Sequence, residues 1–309
     1  SEIECGRCFM TTLEAGKRIA LKNILFATDF SPYSNAALPY ALAIARQFEA
    51  KLYGAHVMPS ETYALIAPDA WPGYVRQEEE LQQVAAARLE EQIRGVPHQV
   101  VSVIGDVWDV LSRLIGEHDI DLIVVGTHGR TGARKLLMGS VAEQIFRQAA
   151  CPVLTVGPNV PSKVNGESQF RKILFATDFS KESLAALPYA VSLAEEDQSQ
   201  LALLHVVEQP AAGVVDLEGV TASLVRRLRE LAPPEAEFWC DVECLVRFSR
   251  QFARPEERIL EIAREHWADL IVLGLHPAHG AFNTVTHLAH TTAQHIVAHA
   301  MCPVLTIRG

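Results

Sequence analysis

Apolar runs of strand length alternate with segments of helical periodicity along the whole chain. In the first half, Asn23 to Thr28 is a short apolar run ending in Asp29-Phe30-Ser31, a turn signal and helix N-cap. Ser34 to Phe48 has helical periodicity, with Pro39 accommodated by a kink or irregular first turns. Lys51 to Val57 reads as the second strand, Pro59 to Tyr74 as a long loop, and Arg76 to Arg94 as a charged helix with polar and apolar faces. His98 to Ile104 alternates as a strand and Val107 to His118 is helical. Asp121 to Val125 is a buried strand, Ser140 to Gln148 a helix, and Pro152 to Val156 a last strand.

The second half repeats this order. Its elements read as Lys172 to Thr177, Ser183 to Glu195, Gln200 to Val206, Glu218 to Leu231, Phe238 to Val246, Glu256 to His266, Leu270 to Gly274, Thr291 to Ala300 and Val304 to Ile307. Strands separated by helix-length segments mean right-handed crossovers and a parallel sheet covered on both faces. Ligands on such sheets gather beyond the carboxyl ends of the strands, where strand order reverses. Asp29 and Gly126 each follow a strand and so lie on that rim.

The repetition extends to the letters. Ile24 to Ser31 (ILFATDFS) recurs unchanged from Ile173 to Ser180, AALPYA at Ala36 recurs at Ala185, and His56-Val57 recurs as His205-Val206. DLIV recurs at Asp121 and Asp269, and CPVLT at Cys151 and Cys302. A period of about 150 residues means duplicated domains, not a solenoid of short repeats. The expected division is an extension over 1–20, a first domain over 21–157, a linker over 158–169 and a second domain over 170–309.

The formal net charge of −10 argues against a nucleic-acid partner held by phosphate contacts. It leaves a nucleotide open, since backbone N–H groups hold phosphate without net positive charge. No apolar run approaches the ~18 residues needed to span a bilayer and no secretory h-region is present, so the expectation is a cytoplasmic chain without a membrane partner. Six cysteines in a chain this long do not make a disulfide scaffold. Cys151 and Cys302 read as small buried hydrophobes before Pro-Val-Leu strands. Cys5 and Cys8 read as part of an N-terminal extension, or as half of a zinc or redox pair.

The candidate chemistry in the first half is Gly126-x2-Gly129-x9-Gly139-Ser140, which follows a strand and ends at a helix. Gly126 and Gly129 permit a sharp turn and close approach to a ligand. Gly139 and Ser140 open a helix whose positive end favours an anion, and Ser140 offers a hydroxyl to phosphate or as a cap. The same glycines would also serve a tight loop without a ligand. Asp29 could accept ribose hydroxyls or hold a phosphate-bridging metal, or could cap the following helix.

On these residues the chain resembles the universal stress protein family over roughly Lys22 to Val156 and Arg171 to Ile307. The resemblance rests on ILFATDFS, the HV of the second strand, DLIVVGTHGRTG, GSVAE and CPVLTV. It implies an α/β fold of two tandem Rossmann-like domains of the adenine nucleotide α-hydrolase-like type. Each would be a five-stranded parallel sheet of order 3-2-1-4-5 with helices on both faces. The ATP-binding branch implies adenine near Val57, ribose and nucleotide-bound Mg near Asp29, and phosphates on Gly126, Gly129, Gly139, Ser140 and Val141. Ala27, Thr28, Val125, His128 and Arg130 would line the same cleft. The family also implies pairing of the two domains within one chain through their last strands, and leaves a homodimer of whole chains open. There is no GxxxxGK[ST] lysine, and ATDFS stands where related pyrophosphatases carry SGGxDS, so binding outranks turnover.

The second half keeps Asp178, Val206 and Gly274, but Pro277 answers Gly129, His290 answers Gly139 and Thr291 answers Ser140. Proline removes a donor and histidine adds bulk where backbone should meet phosphate. A residual site at Asp178, Val206, Gly274 and Thr291 is the remaining expectation. Of the twelve histidines, His276, His279, His287, His290, His295 and His299 fall here, and the last two have helical chelating spacing. They read as scattered loop and surface residues or as a metal site. Three functions stand: an ATP-binding regulator, a slow ATPase using His128 or Arg130, and a nucleotide-independent scaffold.

Overall fold

Every strand of the sequence reading forms, and the ten join in one sheet. In the computed structural model the described residues are 18–59, 71–127, 138–161, 170–208, 216–238, 240–249, 254–275 and 292–308. The first half holds β1 (Asn23–Ala27), α1 (Pro32–Gln47), β2 (Lys51–Pro59), α2 (Trp71–Gln92), β3 (His98–Gly105), α3 (Val107–Glu117), β4 (Leu122–Gly126), α4 (Ser140–Gln148) and β5 (Val153–Val156). The second holds β6 (Lys172–Ala176), α5 (Lys181–Leu184), α6 (Leu187–Asp197), β7 (Gln200–Val207), α7 (Leu217–Arg229), β8 (Val242–Phe248), α8 (Pro255–Glu265), β9 (Leu270–Leu275), α9 (Thr292–His299) and β10 (Val304–Arg308).

Strand order is β3-β2-β1-β4-β5-β10-β9-β6-β7-β8. Each half is therefore a parallel five-stranded sheet of order 3-2-1-4-5. The halves meet where β5 and β10 pair antiparallel, Leu154 against Leu305. Thr155 donates its hydroxyl to Val304 O at 3.1 Å and Thr306 donates to Val153 O at 3.2 Å, a reciprocal pair of buried contacts. Because the junction is antiparallel, the carboxyl ends of the two sets of strands point to opposite edges.

Alternation along the strands assigns the faces. Ile24, Phe26 and Leu52 pack under α1 and α2 in a cluster that continues through Phe170, Ile173 and Phe175 to α6 and α7. Leu25, Ala27, Tyr53, Ala55 and Val57 point the other way, against α3 and α4. Leu174, Ala176 and Leu204 do the same against α8 and α9. The residues that switch face at each step are the ones that carry both cores, as a doubly covered parallel sheet requires.

Local structure departs from expectation in three places. α2 is described from Trp71, inside the stretch expected to be loop. The helix expected over Ser183 to Glu195 is split into α5 and α6 ahead of Pro188, whereas α1 runs unbroken through Pro39. The strand expected from Phe238 starts at Val242, since Pro234–Phe238 is a 3-10 turn. Cys5 and Cys8 lie outside the described residues.

Candidate functional site

The rim of the first half is built on the exit from β1. Ser31 is the N-cap of α1 and accepts from Ser34 N at 3.2 Å. Asp29, expected as an alternative cap, instead accepts from Ser31 N at 2.9 Å and closes the turn leading into the helix. Between them Phe30 adopts φ 61°, a left-handed conformation unusual for a bulky residue. Its ring is held on both sides: the His56 ring lies 4.5 Å away and the Arg88 guanidinium stacks at 4.4 Å. His56 is itself buried and fixed, its Nδ1 2.8 Å from Thr28 O. The same device recurs as Phe179 (φ 63°) between His205 and Arg227. Sequence reasoning recorded the repeated Phe and His but missed the arginines, although Arg88-Leu89 and Arg227-Leu228 occupy matching helices.

Ala27, Val57 and Val125 share one apolar cluster with the half-buried Val141, on the α3 and α4 face. The fold therefore brings these four predicted residues together. Thr28 turns to the other face, where its hydroxyl lies 2.9 Å from that of Ser34 and accepts from Phe30 N at 3.0 Å. Gly126 ends β4, and a Cβ there would lie 2.6 Å from Tyr33 O and 2.9 Å from Ser34 N. The start of α1 presses on this position, so glycine is needed for packing whether or not a ligand comes near. Gly274 meets the same constraint, with Glu182 O at 2.2 Å. That shared packing explains why this glycine is present in both halves.

Gly139 donates to Thr127 O at 2.7 Å, which ties the start of α4 to the end of β4. It is the N-cap of α4 and no side chain caps the helix; Ser140, a suggested cap, is the exposed first helical residue. Backbone N–H groups and the helix dipole thus face the rim from α4. His128, Gly129 and Arg130 lie outside the described residues. Among the described residues no three His, Cys, Asp or Glu side chains gather to hold a metal. The backbone N–H groups at the start of α4 suit an anion, whereas Asp29 alone among the described residues offers too few oxygens to hold a cation.

In the second half Asp178 is exposed and accepts from Ser180 N at 2.9 Å. Val206 is half-buried and Gly274 is the penultimate residue of β9, while Pro277, His290 and Thr291 lie outside the described residues. His295 and His299 stack, ring centroids 4.2 Å apart, and His299 Nδ1 is 2.8 Å from His295 O. Burial, then the neighbouring His299, lowers the pKa of His295. Cys151, Cys240, Cys244 and Cys302 are free thiols; burial pushes Cys302 up to about 12 and Cys151 to about 11. No described helix is long and apolar enough to cross a membrane.

The profile of the universal stress protein family matches residues 20–157 and again 169–308. A universal stress protein of Methanocaldococcus jannaschii is 32% identical over 138 residues, 44% of this chain and 81% of that protein. A universal stress protein A homolog of Coxiella burnetii is 35% identical over 138 residues, 44% of this chain and 95% of its own length. Among solved structures, a universal stress protein of Archaeoglobus fulgidus superposes with a TM-score of 0.66 at 20% identity, covering 93% of this chain and 98% of that one.

Proposed function

The chain belongs to the universal stress protein family in both of its halves, and on that premise we propose that it is an ATP-binding stress-response regulator holding one nucleotide, in the first half. The observation that carries this reading is the start of α4. An uncapped helix N-terminus is tied by Gly139 to the end of β4, on the rim that Asp29 shares. Backbone amides at such a position bind phosphate without a lysine.

In this reading Val57, with Ala27 and Val125, forms the apolar wall for adenine, and Asp29 takes the ribose hydroxyls. Gly126, Gly129, Gly139, Ser140 and Val141 supply backbone to the phosphates, and Ser140 adds its hydroxyl. Thr28 acts from behind, fixing the turn that aims Asp29. Magnesium would arrive with the phosphates, since the described residues offer no separate cation cage. Occupancy then alters the surface offered to a partner. Isothermal titration with Mg-ATP tests this. One site per chain is expected, and no heat of binding overturns it.

The β5–β10 junction favours a second reading, in which the duplicated sheets serve assembly alone. In that case the purified protein carries no nucleotide, and variants at Gly129 or Ser140 behave as wild type in every assay. Pairing of the two halves through these strands in solution is part of both readings.

A further inference from the structure

Among the described residues only one buried side chain is a carboxylate. Glu256 is 4% exposed, and it is the second residue of α8, after N-cap Arg254 and Pro255. Taking a carboxylate out of water is costly unless donors and positive potential replace the lost hydration. Both replacements are present. Thr292, the first residue of α9, donates its hydroxyl to Glu256 Oε2 at 3.4 Å, and Arg254 Nη1 lies 3.7 Å from Oε1. The carboxylate therefore sits in the first turn of one helix and against the first turn of another, where two helix dipoles favour negative charge. His295 lies near enough to feel Glu256, together with Glu257, His299 and Arg254.

α9 is the counterpart of α4, since each precedes the last strand of its half. Position 256 corresponds to Trp108, the second residue of α3, which packs half-buried against the apolar cluster of the first half. The first half thus offers a helix start with no side-chain cap, and the acids around it, Asp29 and the first-turn Glu143, are not buried. At the same place, the second half has a buried acid. We propose that Glu256 supplies from within the chain the anion that α4 leaves to a ligand, and is the residue that excludes phosphate from the second cleft. The exclusion of phosphate rests on the proposed role of α4; the seating of the carboxylate does not.

Thermal melting of Glu256→Ala and Glu256→Gln beside wild type, in chloride and in inorganic phosphate at matched ionic strength, tests the proposal. Removing the side chain opens an anion-sized space at two helix starts. Phosphate should then raise the melting temperature of Glu256→Ala by roughly 3 °C more than that of wild type. Phosphate bound in the first half raises all three proteins alike and cancels in the difference. Glu256→Gln fills the space without charge, so it should melt below wild type and gain no extra phosphate response. An Ala variant that gains no more than wild type overturns the proposal. So does a Gln variant as stable as wild type, a result that does not depend on the Ala variant folding. A chain that fails to bind ATP leaves both comparisons intact and counts only against the proposed function.

Discussion

Replacing Gly126 by alanine separates a packing role from a ligand role for the first glycine of the motif. The new Cβ would sit 2.6 Å from Tyr33 O, 2.8 Å from Tyr33 C and 2.9 Å from Ser34 N. All three are backbone atoms at the start of α1, and no rotamer change relieves them. Relief requires the helix start or the end of β4 to move by several tenths of an ångström. That start is fixed by the Ser31 cap and by the hydroxyl contact between Thr28 and Ser34. Overpacking against an immobile neighbour costs about 3 kcal/mol. For a domain of this size the loss corresponds to a fall in Tm of roughly 6–12 °C. Gly116→Ala is the control: it lies exposed in α3 with nothing within 4 Å of a Cβ. Alanine there should stabilise by about 0.5–1 kcal/mol. Melting without nucleotide reads both. A Gly126→Ala protein that melts with wild type and loses only ATP affinity would refute the packing argument.

Three further outcomes follow from the geometry. Trp267 has φ 53° and is 79% exposed, so Trp267→Gly removes backbone strain at little loss of contact and should stabilise by about 1 kcal/mol in chemical denaturation. Phe30→Gly relieves the same kind of strain but also deletes the ring held between His56 and Arg88, so it should destabilise; a gain in stability would show that the stack contributes nothing. Asp197 accepts from Gln47 Nε2 at 2.8 Å across the two halves, and burial pushes its pKa up to about 6. A raised carboxyl pKa means the folded state binds the proton more tightly, so this contribution is full below about pH 4 and is lost as pH rises through 6. Asp197→Asn should flatten the stability profile across that window, and an unchanged profile would remove Asp197 as its source.

What was legible in the sequence follows its repetition. Ile24 to Ser31 and its copy mark the first strand, turn and cap of each half, and the alternation of Leu25 and Ala27 with Ile24 and Phe26 marks the two faces. Other features depend on contacts between segments far apart. Pro39 and Pro188 stand in the same sequence context, AALPYA, yet only the second is preceded by a break, so the context cannot decide it. Gly126 read as a ligand-approach glycine because the helix start pressing on it is invisible until the chain folds. Glu256 stood in the sequence only as the first residue of an expected element; its burial depends on α9 packing against α8. Arg88 was a surface charge until the left-handed Phe30 ring came beneath it.

The most direct test of the central claim is the number of ATP molecules bound per chain, measured by titration of wild type and of Gly129→Pro, which copies Pro277 into the first half. One equivalent for wild type, with affinity reduced at least tenfold in the variant, is the expected result. Two equivalents, none, or a variant that binds as wild type would contradict it.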